Sequence, residues 1–209
     1  MSDKSVWIDE GQKLRYNLDT QDEAYRTGAY DYILDIGMAP RMATIAAYLR
    51  HYGARSVLDI GCGSGPLLPH LPPDMAYVGI DISETAVAEA KRRFGDRPGE
   101  THFHVGDFRD FVSPIRQLDA VVWAGIGRTW TKQGKGGDRR DWLEILGLAE
   151  APLRPDGLVI FELVTPHCAA LQEMIPPRYE YLVGCDIDHL EFGARGQRSI
   201  RVYRRRAAP

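Results

Sequence analysis

Apolar and polar positions along the chain alternate between strand-length runs and segments with helical spacing. Strands are predicted at 56–60, 76–81, 102–105, 118–123 and 158–164. In the segments between several of these strands, apolar side chains recur every three or four residues, as on one face of a helix. Strands that alternate with helices build a parallel sheet covered by helices on both faces. The pattern therefore predicts an α/β fold with a doubly wound, mostly parallel sheet.

The end of the chain has a different pattern. Two long strand-like segments, 178–188 and 197–205, are joined through the glycine-containing stretch 193–196. Two strands joined in this way form a hairpin, so we expect the last strand to run antiparallel in a seven-stranded sheet. We also expect this last strand to form the edge of the sheet, with the arginines at 204–206 in solvent.

The first predicted strand ends in a cluster of glycines. The stretch 57–65 reads VLDIGCGSG. A strand, a tight turn and a helix N-terminus let the backbone approach a ligand closely, and glycine permits the positive φ angles that such a turn requires. The dinucleotide-binding fingerprint has glycines at its first, third and sixth positions. Gly61 and Gly63 satisfy the first two, but the sixth position is Pro66 and Gly65 comes one residue early, so a dinucleotide is the weaker interpretation.

Polar residues also follow the next two strands. Asp81 lies 20 positions after Gly61 (81 − 61), where a parallel sheet puts the tip of the second strand beside the glycine turn. A carboxylate there can accept both hydroxyl protons of a ribose. Gly106-Asp107-Phe108 follows the third strand, and an aspartate followed by a free backbone amide supplies the acceptor and donor that a purine edge requires. Taken alone, each feature is also compatible with a helix cap or an ordinary turn.

With Asp59 ahead of its glycines, the stretch 57–65 resembles the first motif of the class I S-adenosylmethionine-dependent methyltransferases. Asp81 matches the acid with which that family holds the ribose, and Gly106-Asp107-Phe108 resembles its adenine-reading motif. The resemblance covers residues 56–205 and implies a Rossmann-like methyltransferase fold with S-adenosylmethionine as cofactor. The cofactor-binding residues that it implies are Asp59, Gly61, Gly63, Asp81, Ile82, Asp107, Phe108, Ala124 and, from an N-terminal lid, Tyr25.

The segment after the fourth strand is where members of this family meet the methyl acceptor. It contains neither an Asn/Asp-Pro-Pro-Tyr-type motif nor the acidic metal ligands of catechol methyltransferases, so no metal is predicted. Residues 125–140 are rich in glycine, lysine and arginine, as in a solvated charged loop. Alternatively, this loop closes over an acceptor that carries a carboxylate or phosphate, with Arg128 as its contact and Trp130 as a wall of the acceptor site.

One histidine follows the fifth strand directly. His167 would lie beside the acceptor, and the pKa of a free histidine suits a general base at neutral pH. A histidine that opens a helix is more often structural, and His189 near the final hairpin is a second candidate for the base.

Length and composition bound the remaining possibilities. The 209 residues fit one domain, which we divide into an N-terminal helical or lid segment at 1–40 and a cofactor-binding domain at 41–209. The alternative to a lid is that the aromatic residues of the segment 1–40 pack an N-terminal helix against the core. A net charge of −3 gives no general attraction to nucleic acid or anionic membranes, and no apolar run reaches the ~20 residues that cross a bilayer. Three scattered cysteines favour a reduced cytoplasm.

These features favour a cytoplasmic methyltransferase that acts on a hydroxyl or amine of a small molecule, an anionic molecule being one option. The alternatives are an RNA or protein methyltransferase, supported only by residues 125–140, and a non-catalytic partner subunit that binds S-adenosylmethionine. A nucleic-acid partner is disfavoured, and no membrane partner is expected. The sequence does not specify the oligomeric state.

Overall fold

The computed structural model describes residues 18–28, 39–125, 139–191 and 194–206. Seven strands form one sheet in the order β3-β2-β1-β4-β5-β7-β6, and five α-helices are described around it. The strands are β1 Ser56–Ile60, β2 Ala76–Asp81, β3 Thr101–Val105, β4 Leu118–Ala124, β5 Leu153–Val164, β6 Tyr179–Glu191 and β7 Ala194–Arg205. The helices are α1 Leu18–Arg26, α2 Ala39–His51, α3 Glu84–Phe94, α4 Arg139–Glu150 and α5 Thr165–Met174, with short 3₁₀ turns at Leu68–His70 and Phe108–Asp110.

The predicted fold class is confirmed. Strands β1 to β5 pair in parallel, and β7 pairs antiparallel with both β5 and β6. Strand order reverses between β1 and β4, where chain crossovers go to opposite sides of the sheet. In a doubly wound sheet, ligands bind outside the carboxyl ends of the strands at such a reversal.

The expected position of the last strand is wrong. Strand β7 lies between β5 and β6, so β6 forms the edge of the sheet. The hairpin pattern shows that β6 and β7 pair, but it does not show which of them also pairs with β5. The terminal arginines also have partners: Arg205 lies 3.7 Å from Glu150 and Arg206 lies 3.9 Å from Glu180.

The start of the fifth strand also differs from the prediction. Strand β5 begins at Leu153, and residues 154–157 bulge out opposite the single residue Asp119 of β4. Asp156 has a φ of +62°, and Arg154 lies 2.6 Å from a carboxylate oxygen of Asp119 across the bulge. The prediction began the strand at residue 158 because the polar residues 154–157 have the composition of a turn.

The core lies on both faces of the sheet. Val122 and Ile160 pack on one face with Ile45 of α2, whereas their neighbours Trp123 and Phe161 pack on the other face. Residues 120–123 of β4 and 158–161 of β5 are therefore all buried, which is why these parts of the strands are continuous apolar runs. Among the helices that the structure describes, none combines the length and apolar character needed to cross a membrane.

Candidate active site

The glycine turn after β1 is built on positive φ angles. Gly61, Gly63 and Gly65 have φ values of +72°, +52° and +82°. The N–H groups of Gly61 and Cys62 both donate to the carbonyl oxygen of Ile80, at 2.8 and 3.1 Å. These two hydrogen bonds tie the turn to the end of β2. Because L-residues with a side chain rarely adopt such φ values, the turn requires glycine at these positions.

Asp81 joins the end of β2 to this turn. Its Oδ2 accepts a hydrogen bond from the Gly63 N–H at 2.9 Å, and its Oδ1 accepts one from the Ser83 N–H at 2.9 Å. Burial raises the pKa of the Asp81 carboxyl, and the hydrogen bonds from these backbone N–H groups oppose the rise. The structure therefore brings the predicted ribose acid against the glycine turn.

A ribose-bearing cofactor fits this arrangement. A carboxylate offers about four acceptor positions, so the Asp81 carboxylate keeps capacity for ribose hydroxyls beside its backbone hydrogen bonds. The side of the turn at Gly63 is closed by a tyrosine, because a Cβ built on Gly63 would overlap the hydroxyl oxygen of Tyr25. The turn thus forms a cradle that accepts only glycine at residue 63.

The N-terminal helix α1 is anchored to the loop that follows Asp81. Asp22 of α1 accepts hydrogen bonds from Ser83 Oγ at 2.8 Å, Thr85 N at 2.8 Å and Thr85 Oγ1 at 2.9 Å. The hydrogen bonds from Thr85 and Ser83 hold the pKa of the Asp22 carboxyl below its usual value. This anchor, which the sequence analysis missed, holds Tyr25 over Gly63. The neighbouring Arg26 is exposed and pairs with Glu23.

Asp59 lies beneath the turn. Its carboxyl is buried, and its Oδ2 accepts a hydrogen bond from the Tyr77 hydroxyl at 2.8 Å. Burial raises the pKa of Asp59 to about 7, the Tyr77 hydrogen bond opposes this rise, and the charge of Asp81 adds to it. Tyr77 is a second residue that the sequence analysis missed, since a tyrosine inside an apolar strand is indistinguishable from a core residue.

The predicted adenine-reading pair follows β3. The Asp107 carboxylate accepts a hydrogen bond from the Arg109 N–H at 2.8 Å and forms an ion pair with the Arg109 guanidinium, which lowers the pKa of Asp107. The Phe108 side chain is buried, with its ring centroid 6.0 Å from that of Trp123. A contact with adenine would therefore involve the Phe108 backbone. To accept a hydrogen bond from adenine, the Asp107 carboxylate would give up part of its ion pair with Arg109. This pair is exposed to solvent, so losing part of it costs little free energy.

The remaining predicted site residues divide into two groups. Ile82 and Ala124 are half-buried, and Ala124 is the last residue of β4, opposite Glu162 of β5. His167 lies in the first turn of α5, directly after the carboxyl end of β5, but its side chain is outside the described residues. Arg128 and Trp130 lie entirely outside the described residues, and the side chain of His189 in β6 does as well.

A buried cluster of charges, also missed by the sequence analysis, lies beside the tip of β4. Arg41 Nε is 3.1 Å from Glu162 Oε1, and Arg198 Nη1 is 3.5 Å from Glu162 Oε2. The three side chains are almost wholly buried, with exposed fractions of 5%, 0% and 10% for Arg41, Glu162 and Arg198. The signal in the sequence was the glutamate within the apolar run 158–164, because glutamate is almost never fully buried unless it is paired.

A groove of about 400 Å³ opens at the opposite, amino edge of the parallel strands. Four of its charged groups form ion pairs, Arg154 with Asp119 and Arg206 with Glu180. The groove lies away from the glycine turn, so it is separate from the candidate site. Within the described part of the chain, no group of three or more His, Cys, Asp or Glu side chains could hold a metal ion. The expected absence of a metal stays a prediction.

Comparison with known proteins agrees with the geometry. Residues 57–135 match the family model described as "Methyltransferase domain". The chain is 33% identical over 125 residues to the dTDP-3-amino-3,6-dideoxy-alpha-D-glucopyranose N,N-dimethyltransferase of Streptomyces fradiae, covering 57% of this chain and 44% of that protein. It is 31% identical over 112 residues to the dTDP-3-amino-3,4,6-trideoxy-alpha-D-glucopyranose N,N-dimethyltransferase of Streptomyces venezuelae, covering 52% and 42%. The chain thus spans less than half the length of these two relatives.

A solved structure shares the fold. The N-methyltransferase NodS from Bradyrhizobium japonicum WM9, in complex with S-adenosyl-L-homocysteine, superimposes with a TM-score of 0.62 at 15% sequence identity, over 82% of this chain and 88% of that one. The sheet order, the glycine turn with its acidic partner and the matching family model lead to one conclusion. Residues 57–135 contain a methyltransferase domain, and the chain is similar in sequence and fold to S-adenosylmethionine-dependent methyltransferases of class I.

Proposed function

We propose that this protein transfers a methyl group from S-adenosylmethionine to a hydroxyl or amine of a small molecule. The observation that carries the proposal is the hydrogen bond between the Gly63 N–H and Asp81 Oδ2 at the carboxyl edge of the sheet. It joins the glycine turn to a carboxylate suited to a ribose, at the reversal of strand order where such sheets bind nucleosides.

The chain's own residues would act mainly by positioning. Asp81 binds the ribose, Gly61 and Gly63 let the backbone approach the cofactor, and Asp107 with the Phe108 backbone reads the adenine. The bound cofactor supplies an electrophilic methyl group on a sulfonium, whose thioether leaving group requires no acid. Alignment of the acceptor with that methyl group can contribute up to about 7–11 kcal/mol to the rate.

Four further residues would complete the cofactor site. Asp59 supports the turn from beneath, Ile82 covers one face of the adenine, and Ala124 lies where the methionine part approaches β4. Helix α1 serves as the lid, with Tyr25 near the methionine carboxylate. This role agrees with the anchoring of α1 through Asp22, and it assigns residues 1–40 to the lid and 41–209 to the cofactor-binding domain.

The acceptor side would include a base when the acceptor is a hydroxyl. His167 follows β5 at the carboxyl edge and would take the hydroxyl proton as the new bond to carbon forms, which contributes about 10²–10⁴-fold to the rate. Arg128 and Trp130 would contact the acceptor. An amine acceptor can release its proton to solvent, so His167 would then be dispensable.

Two observations support a small acceptor. The net charge of −3 gives no general attraction to nucleic acid, and both Streptomyces relatives act on dTDP-linked amino sugars. We also propose a reduced, cytoplasmic location, since the described cysteines Cys62, Cys168 and Cys185 are all free. An RNA or protein acceptor and a non-catalytic cofactor-binding subunit are the alternatives that the experiment distinguishes.

The test begins with calorimetric titration of the full chain with S-adenosylhomocysteine, with NADH as the control ligand. Binding of NADH in place of S-adenosylhomocysteine would overturn the cofactor assignment. Methyl-labelled S-adenosylmethionine is then incubated with the protein and with separate small-molecule, RNA and protein fractions of a cell extract. Label in the small-molecule fraction is the expected result. Label in RNA or protein overturns the small acceptor, and binding without transfer to any fraction indicates a non-catalytic subunit.

A further inference from the structure

We propose that Asp22 is a positioning residue for the ribose site, and that it couples the docking of helix α1 to the retention of the bound cofactor. While the Asp22 carboxylate is hydrogen-bonded to the start of α3, the ribose acid Asp81 is held in place and the nucleoside leaves slowly. When these hydrogen bonds break, both effects are lost together. The inference rests on the proposed function and adds the control of cofactor release at the same site.

Asp22 completes the N-terminus of helix α3 from a different helix. Ser83 is the N-cap residue of α3, and its Oγ accepts a hydrogen bond from the Ala86 N–H at 3.1 Å. The single hydroxyl proton of Ser83 goes to Asp22 Oδ1 at 2.8 Å, and the same oxygen accepts the Thr85 N–H at 2.8 Å. The first N–H groups of a helix have no partner within it, and the helix dipole favours a negative charge there. The Asp22 carboxylate therefore supplies part of the cap of α3.

The same cap holds the ribose acid. Ser83 donates its backbone N–H to Asp81 Oδ1 at 2.9 Å, and Gly63 donates to Asp81 Oδ2 at 2.9 Å. Ser83 is wholly buried, so removing the Asp22 carboxylate leaves its hydroxyl without an acceptor unless water enters. Water entry beside Ser83 loosens the backbone N–H that holds Asp81. Asp22 thus acts on the ribose through Ser83, without touching the ribose.

The docking of α1 depends mainly on polar contacts. The helix has nine residues, and helices shorter than about 12–15 residues are marginal without tertiary contacts. Residues 22–28 are half-buried or exposed, so apolar burial by this part of the segment contributes little. The three hydrogen bonds of Asp22 are made to a charged group, which makes them stronger than neutral ones. Tyr25 lies one turn after Asp22 and closes the side of the glycine turn at Gly63. Breaking the Asp22 hydrogen bonds should therefore free Tyr25 from the turn as it releases Ser83.

Dissociation of S-adenosylhomocysteine from the full chain tests the coupling. Protein saturated with radiolabelled S-adenosylhomocysteine is chased with an excess of unlabelled ligand, and the label that stays bound is followed in time. Calorimetry gives the stoichiometry and affinity of each variant. The variants are Asp22→Ala, Asp22→Asn and, as a matched control at the neighbouring residue of α1, Glu23→Ala. Glu23 is exposed and pairs with Arg26, so its loss leaves the cap of α3 intact.

Asp22→Ala should speed dissociation about tenfold or more, the effect of losing one hydrogen bond to a charged group. The stoichiometry should stay that of the wild type, because each chain still folds and binds. Asp22→Asn keeps an oxygen that accepts from Ser83 and Thr85, so it should restore part of the slow dissociation. Glu23→Ala should release the ligand at the wild-type rate. Bound ligand should also slow trypsin cleavage after Arg26 in the wild type but not in Asp22→Ala.

Equal dissociation rates in the wild type and Asp22→Ala overturn the coupling, as does an equal acceleration by Glu23→Ala. Reduced stoichiometry with an unchanged rate from the remaining bound protein shows a role in folding alone and also overturns it. Failure of the wild type to bind S-adenosylhomocysteine instead refutes the proposed function itself. If Asp22→Ala does not fold, Thr85→Val provides a milder test, because it removes one hydroxyl donor to Asp22. It should also speed dissociation, and an unchanged rate would overturn the coupling.

Discussion

Replacing Gly63 with alanine should displace helix α1 from the glycine turn. Gly63 has a φ of +52°, and the added Cβ would overlap the Tyr25 hydroxyl oxygen. The backbone conformation alone costs about 1–2 kcal/mol for a residue with a Cβ. The overlap adds an overpacking cost of about 1–3 kcal/mol, because Asp22 holds α1 in place through three hydrogen bonds. We expect Gly63→Ala to lower the free energy of unfolding by about 2–5 kcal/mol.

Gly53→Ala is the matched control. Gly53 has a φ of +71°, and a Cβ at this position would meet nothing within 4 Å. It should therefore show only the backbone cost of about 1–2 kcal/mol. Urea unfolding of each variant without cofactor, followed by circular dichroism, gives the two free-energy differences. Trypsin cleavage after the exposed Arg26, measured by mass spectrometry, should accelerate in Gly63→Ala but not in Gly53→Ala.

A double-mutant cycle isolates the contact with the hydroxyl group. Tyr25→Phe removes the overlapping oxygen and leaves the ring carbon Cζ 3.4 Å from the Cβ position, close to an ordinary contact. Gly63→Ala should therefore cost less in the Tyr25→Phe background than in the wild type, and the difference is the coupling energy. Equal destabilisation by Gly63→Ala and Gly53→Ala, together with no coupling to Tyr25→Phe, would refute the placement of α1 against the turn.

Three further predictions concern single carboxyl or imidazole groups. Asp81→Asn should weaken S-adenosylhomocysteine binding about 10–150-fold, because hydrogen bonds to a charged group contribute about 1.5–3 kcal/mol; unchanged affinity by calorimetry would remove the ribose assignment. Burial raises the pKa of Asp59 from 3.8 to about 7, so the folded state retains a proton that the unfolded state releases, and the free energy of unfolding should fall as the pH rises from about 4 to about 7. Asp59→Asn should flatten this decline. The free energy of unfolding of the wild type and of Asp59→Asn is measured in urea at pH 5 and at pH 8. An equal change between the two pH values in both proteins would contradict the raised pKa of Asp59. His167→Ala should spare cofactor binding and reduce turnover with a hydroxyl acceptor, and full activity in a methyl-transfer assay would exclude His167 as the base.

The sequence alone determined the parts of this protein that depend on neighbouring residues. Strand-length apolar runs located β1 and β2, because burial on both faces of a parallel sheet demands continuous apolar runs. The glycines of 61–65 and the acid at 81 indicated a turn and its carboxylate partner, because positive φ angles and strand length constrain residues that are close in the chain. The family resemblance followed from these local features.

Only the tertiary structure decided the contacts between distant segments. The position of β7 between β5 and β6 depends on which strand of a hairpin pairs with β5, and the hairpin pattern is the same in both cases. Asp22 meets Thr85, and Arg41 meets Glu162, because folding brings together surfaces whose residues have no shared period in the chain. Ion pairs and side-chain hydrogen bonds are short-range, so they are determined by three-dimensional proximity and leave no regular pattern in the sequence.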